Sequence, residues 1–188
     1  FNPKNLSTSY FKPLKTNEIS ALGLYNKILN FEKDRTKINI ANVSSNFASK
    51  LYSTYISFLP IRKFYYYIKD NKNNTGSFTE FLKNKNFGQI STLSVNPNCT
   101  RGNHYHHSKV EKFFIVKGKA KFQFQNLITK KKLNIIASSK KPMIVETIPG
   151  YTHNIKNIGK SVLIAIMWSN QTFNKNKPDT VYKKISND

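Results

Sequence analysis

What constrains this chain most is the pattern that begins after Pro60. Short apolar or alternating runs follow one another, and polar stretches separate many of them. The runs are Phe64–Ile68, Ser77–Leu82, Phe87–Val95, Asn103–His107, Glu111–Val116, Ala120–Gln125, Leu133–Ala137, Met143–Ile148 and Ser161–Trp168. The breaks include Asp70–Gly76, Asn96–Asn98 and Lys117-Gly118. Many short strands at near-regular spacing predict an all-β sandwich or barrel.

Residues 1–60 have a different rhythm. Thr16 is a candidate N-cap with Glu18 in the first turn, and Ile19, Leu22, Leu24, Tyr25, Ile28 and Leu29 follow at roughly helical spacing. A second amphipathic stretch runs from Ser45 to Phe58, with Phe47, Leu51, Tyr55 and Leu59 recurring every fourth residue until Pro60 stops it. A boundary is therefore expected near residue 60, with a helical segment over 1–60 and a β domain over 61–188.

Composition excludes several classes. Hydrophobic residues make up 38% of the 188, which is enough to build a core and rules out wholesale disorder. No stretch approaches the roughly 18 apolar residues of a membrane span. The first residues lack the apolar core of a secretory leader, so a cytoplasmic location and no membrane partner are expected. The single cysteine, Cys99, excludes an internal disulfide framework and a cysteine-rich zinc site. The net charge of +22 implies attraction to anions. Lysine supplies 28 of the 31 basic residues, alongside abundant Asn and Ile, a set that AT-rich codons also favour. Arg, whose fork reads bases, is limited to Arg35, Arg62 and Arg101, and no specific nucleic-acid partner is expected.

The four histidines are His104, His106, His107 and His153. On a strand, residues two apart share a face, so His104 and His106 point together and His107 points away. Glu111 opens the next apolar run and can present a carboxylate to the same space. His153 follows Pro149-Gly150 and is the candidate fourth ligand. Imidazoles plus one carboxylate suit a divalent cation such as Zn, Fe, Mn, Ni or Co, with a position left open for water or substrate.

These residues resemble the two cupin motifs. The first is His104-x-His106-x4-Glu111-x6-Gly118, and the second is Pro149-Gly150-x2-His153-x3-Asn157. The resemblance implies a jelly-roll β-barrel with the metal inside. The first motif begins with Asn98 where glycine is usual; Asn tolerates φ > 0, so the turn is expected to survive. The second is one residue tighter than the usual Pro-x-Gly.

A closer resemblance covers residues 46–188. Its segments are Leu51–Tyr55, Gly76–Phe81, Gly88–Ser91, Gly102–Phe113, Gly150–Asn157, Met167–Asn170 and Lys177–Thr180. Together they are similar to the C-terminal cupin half of the CapF/WbjC family of bifunctional capsular-polysaccharide enzymes. That resemblance implies a C3 epimerase domain acting on a 4-keto UDP-N-acetyl-dideoxyhexose, in the route to UDP-N-acetyl-L-fucosamine. It makes the start of the chain the helical tail of an NADPH-dependent reductase half plus a linker. No glycine-rich nucleotide loop occurs, so NADPH binding by this chain is not expected. Zinc is the expected metal, held by His104, His106, Glu111 and His153, and a homodimer is the expected assembly.

Epimerisation beside a ketone needs a base, a stabiliser of the enolate oxygen and an acid. Tyr105, His107, Lys112 and Tyr151 are the acid/base candidates. Strand alternation disfavours Tyr105 and His107, leaving Tyr151 and Lys112. Arg101 is a candidate contact for the UDP diphosphate. Gln123, Gln125 and Gln171 stand where the family usually carries Arg, Arg and an acid. They favour the alternative of a non-catalytic or truncated metal-binding cupin. A metal-dependent oxygenase is a third reading.

Overall fold

The computed structural model describes residues 16–174 and 176–186. Helix α1 spans Ala21–Thr36 and helix α2 Asn46–Ser57. Ser45, where the second amphipathic stretch begins, caps α2 by accepting from the Ala48 N–H. The start of α1 differs from expectation. Ser20 is the cap, accepting from Gly23 N–H at 3.1 Å, so Thr16 and Glu18 lie ahead of the helix. Ser and Thr both serve as caps, and here Ser20 stands immediately before the first helical residue. The two helices meet through Phe31, whose ring lies 5.1 Å from Tyr52 and 5.8 Å from Tyr55.

After Pro60 a short 3-10 turn, Ile61–Lys63, leads into residues 64–70. Phe64–Ile68, expected as a strand, forms no strand. Its apolar residues find no neighbouring strand, and Tyr67 is 93% exposed. Arg35 holds its start by donating to the Lys63 carbonyl and stacking over Tyr66.

Among the described residues eleven strands follow: β1 (Asn71–Asn73), β2 (Gly76–Asn84), β3 (Gly88–Val95), β4 (Thr100–Tyr105), β5 (Glu111–Lys117), β6 (Lys119–Asn126), β7 (Lys132–Ser138), β8 (Ile144–Thr147), β9 (Tyr151–Asn157), β10 (Leu163–Ser169) and β11 (Val181–Tyr182). They form two sheets, in the orders β1-β2-β3-β10-β5-β8 and β11-β4-β9-β6-β7. From β3 to β10 the chain hops between the sheets at nearly every connection, and every named pair is antiparallel. This is the expected cupin jelly roll. Asn98 has φ 61°, so it makes the turn usually given to glycine.

Inward-facing residues of both sheets make the core. β5 contributes Phe113 and Ile115, β6 Phe122 and Phe124, β10 Leu163, Ala165 and Met167. Phe113 and Phe122 meet edge to face at 5.4 Å across the two sheets. Gln123 and Gln125 alternate with these phenylalanines, so they point out of the barrel. Gln125 binds Ser186, and Gln123 lies 3.4 Å from Asn134. The helical segment is tied to the barrel's edge. Asn39 bridges Lys83 of β2 in parallel, through Ile40 N–H to Lys83 O and Lys83 N–H to Ile38 O.

Candidate metal centre

β4 carries His104 and delivers His106 one residue beyond its end. A bulge between Gly102 and His104, with Asn103 at φ 58°, turns the strand so that both imidazoles face inward. β9, which lies outside the apolar runs of the sequence, sits beside β4 and sets His153 opposite His104. Glu111 arrives from the other sheet as the first residue of β5. The four side chains therefore converge between the two layers. One ligand atom from each lies within 4.8 Å of all the others.

The rings of His104 and His153 are 4.7 Å apart, and those of His104 and His106 are 4.9 Å apart. Glu111 Oε1 lies 3.5 Å from His106 Nε2, and Oε2 lies 3.4 Å from His153 Nε2. Thr147, opposite Glu111 on β8, accepts from the Glu111 N–H at 3.2 Å and directs its own hydroxyl toward Oε2 at 3.4 Å. Burial alone would raise the Glu111 carboxyl pKa. The His106 and His153 imidazoles outweigh it and hold the group well below the usual carboxylate range. His104 is pushed down to about 3, first by burial and then by His153, with Glu111 opposing. The histidine is thus held neutral and the carboxylate charged, the protonation states that cation binding requires.

The donor set fits a divalent ion for a second reason. His106 Nε2 and both ring nitrogens of His153 are buried without a hydrogen-bond partner. Orphaned polar atoms of this kind cost about 1–3 kcal/mol each unless something fills the space between them. Three imidazoles and a carboxylate suit zinc and its first-row neighbours.

A cavity of about 620 Å³ opens onto the cluster. Lys69, Arg101, Lys109 and Glu80 supply charge to its wall, and Phe78 and Phe173 supply apolar surface. Lys109 reaches within 3.6 Å of Glu111 Oε1 and 3.3 Å of Thr180 Oγ1. It stands two residues before Glu111, just ahead of β5, and carries no pattern in the sequence that marks it.

The remaining candidates lie elsewhere. Lys112 points to the outer face of β5 and pairs with Glu146 of β8. Tyr105 and His107 meet edge to face, at 5.3 Å, on the side away from the cluster. Tyr151 opens β9 on the face of His153 and packs against the core. Gln171 donates to the Ser108 hydroxyl at 2.9 Å.

Residues 71–181 match the model of the polysaccharide biosynthesis C-terminal domain. The chain belongs to that family. The match runs across almost the whole barrel, from β1 to the first residue of β11. A Pseudomonas aeruginosa protein described as UDP-2-acetamido-2,6-beta-L-arabino-hexul-4-ose reductase is 40% identical over 163 residues, covering 87% of this chain and 44% of that protein. The capsular polysaccharide assembling protein CapF from Staphylococcus aureus superposes with a TM-score of 0.83 at 37% identity, covering 86% of this chain and 44% of CapF. CapF solved with the inhibitor 3-isopropenyl-tropolone gives the same TM-score at 36% identity, covering 86% of this chain and 47% of that one. The chain thus spans less than half the length of these relatives. Among the described residues no helix is long and apolar enough to cross a membrane.

Proposed function

We propose that this domain is a metal-dependent C3 epimerase of a 4-keto UDP-N-acetyl-dideoxyhexose, serving capsule or surface polysaccharide biosynthesis. The observation that carries the reading is the buried His104–His106–Glu111–His153 cluster opening onto a charged cavity, in a chain of the polysaccharide biosynthesis family. In this reading the four side chains hold zinc, the protein is a cytoplasmic homodimer, residues 1–60 are a reductase tail and linker, and residues 61–188 are the catalytic cupin.

The cation, when bound, supplies Lewis-acid polarisation of the ketone beside the carbon that inverts. The chain's own residues do the rest. Lys69, Arg101 and Lys109 bring positive charge to a wall where a diphosphate is to lie. Asn73 and Thr75 accept from Arg101 at 2.9 and 3.1 Å and fix its fork. Lys109, in the cavity wall, and Tyr151, on the His153 face of β9, are the proposed proton carriers; Lys112 faces the wrong side of its strand for that task.

The test is proton exchange. Metal-loaded protein incubated with the 4-keto UDP-sugar in D₂O is expected to place deuterium at C3. Folded, metal-loaded protein that leaves C3 unlabelled overturns the epimerase and favours a non-catalytic metal-binding cupin. For that second reading, Gln171 is the relevant residue: its neutral amide is tied to Ser108.

A further inference from the structure

Asp179 lies 73 residues from His106 in sequence, yet the two are in direct contact. The Asp179 carbonyl oxygen meets His106 Nδ1. A carbonyl only accepts, so Nδ1 must carry the proton, and the Nε2 lone pair is left facing Glu111 and His153. The Thr180 hydroxyl stands at 3.5 Å from the same nitrogen.

The Asp179 side chain explains why that carbonyl sits there. Oδ1 accepts from the His107 N–H at 2.8 Å. Oδ2 accepts from the Ser108 N–H at 2.8 Å, the Ser108 hydroxyl at 2.9 Å and the Lys109 N–H at 2.8 Å. Three successive backbone N–H groups between two cluster residues, His106 and Glu111, thus close on one carboxylate. Val181 and Tyr182 then pair with Tyr105 and His104 of β4, which holds the strap from its other side.

We infer that Asp179 is a positioning residue for the metal centre: its carboxylate clasps the His107–Lys109 turn so that its own carbonyl fixes His106 as the Nδ1–H tautomer and aims Nε2 into the cluster. Outer partners of this kind typically change metal affinity 10–100-fold when removed. The inference rests on the metal-site part of the proposed function and is independent of epimerisation.

The experiment measures the His106 tautomer by long-range ¹⁵N–¹H NMR in metal-free protein, assigned against H106N, together with Zn²⁺ affinity by chelator competition. Native protein is expected to show His106 as Nδ1–H. In D179A, His106 is expected to populate both tautomers and Zn²⁺ affinity to fall about 10–100-fold. D179N, which keeps the shape but loses one acceptor oxygen and the charge, is expected to fall in between. A native His106 carrying its proton on Nε2 overturns the inference. So does a folded D179A with an unchanged tautomer and a Zn²⁺ affinity within twofold of native. If D179A fails to fold, the native tautomer and D179N decide. If native protein binds no Zn²⁺, the metal reading fails, while the tautomer still reports on the Asp179–His106 link.

Discussion

Glu111 Oε2 and His153 Nε2 approach to 3.4 Å although their strands belong to different sheets. The cluster is therefore a cross-layer feature: it exists only when both sheets are assembled in register. Substituting a single member tests that geometry. H106A is expected to weaken Zn²⁺ binding by at least tenfold, and E111Q to do so while leaving the side chain's shape in place. Isothermal titration reads both; full metal occupancy in H106A would remove His106 from the ligand set.

Metal removal is expected to destabilise the fold. Binding to the native state alone stabilises by about 2.7 kcal/mol when free ligand is at 100 times its Kd. The orphaned nitrogens of His106 and His153 add a local cost once nothing lies between them. Chelator-treated protein should melt several degrees lower, and Zn²⁺ should restore the transition. Identical melting curves with and without metal would argue against a filled site.

The metal-free protein should lose stability on acidification. His104 is pushed down to about 3, so between that value and the ordinary histidine pKa of about 6.5 the unfolded chain binds more protons than the folded one. Stability then falls as pH falls through that window. Glu111 is held below its usual range, so its contribution is present above about 4.3 and is lost as pH drops further. Both act in one direction. Urea titrations of apo protein at pH 7.5, 5.5 and 4.5 should give a steadily decreasing midpoint; a flat profile would contradict the burial of His104.

Gly102 and Gly150 offer a matched comparison. Gly102 has φ +100°, and a Cβ there would lie 3.0 Å from both Asn154 Cα and His153 O, next to a cluster residue. Gly150 has φ +85° with nothing within 4 Å. G150A should cost about 1 kcal/mol from backbone strain alone. G102A should cost more, about 2–4 kcal/mol, and also weaken metal binding, because the β4–β9 pair must spread. Equal costs by urea denaturation would show that the close approach is not limiting.

Much of this architecture could be read from residue order. β2, β3, β5, β6, β7, β8 and β10 announce themselves by apolar alternation, and the four cluster residues by spacing and chemistry. β9 does not, because Tyr151–Asn157 is rich in polar residues that are nonetheless buried. Two of them make side-chain bonds that composition cannot reveal: Asn154 donates to Asn103 at 3.0 Å, and Asn157 donates to Val95 O and Ser161 O at 2.8 Å. β1 is all polar because it is an edge strand, held by its hairpin with β2. Phe64–Ile68 erred the other way, since an apolar run becomes a strand only where a partner edge is free. Asp179 lies in the Lys177–Thr180 segment noted for its resemblance, but its role could not be read there: its partners lie some 70 residues upstream, and no local pattern links them.

The short parallel ladder between Asn39 and Lys83 has a consequence for the cavity. Lys83 also grips Glu80 at 2.5 Å, and Glu80 borders the cavity. The segment that follows α1 is thereby joined by backbone bonds to β2, the same strand whose Glu80 lines the cavity.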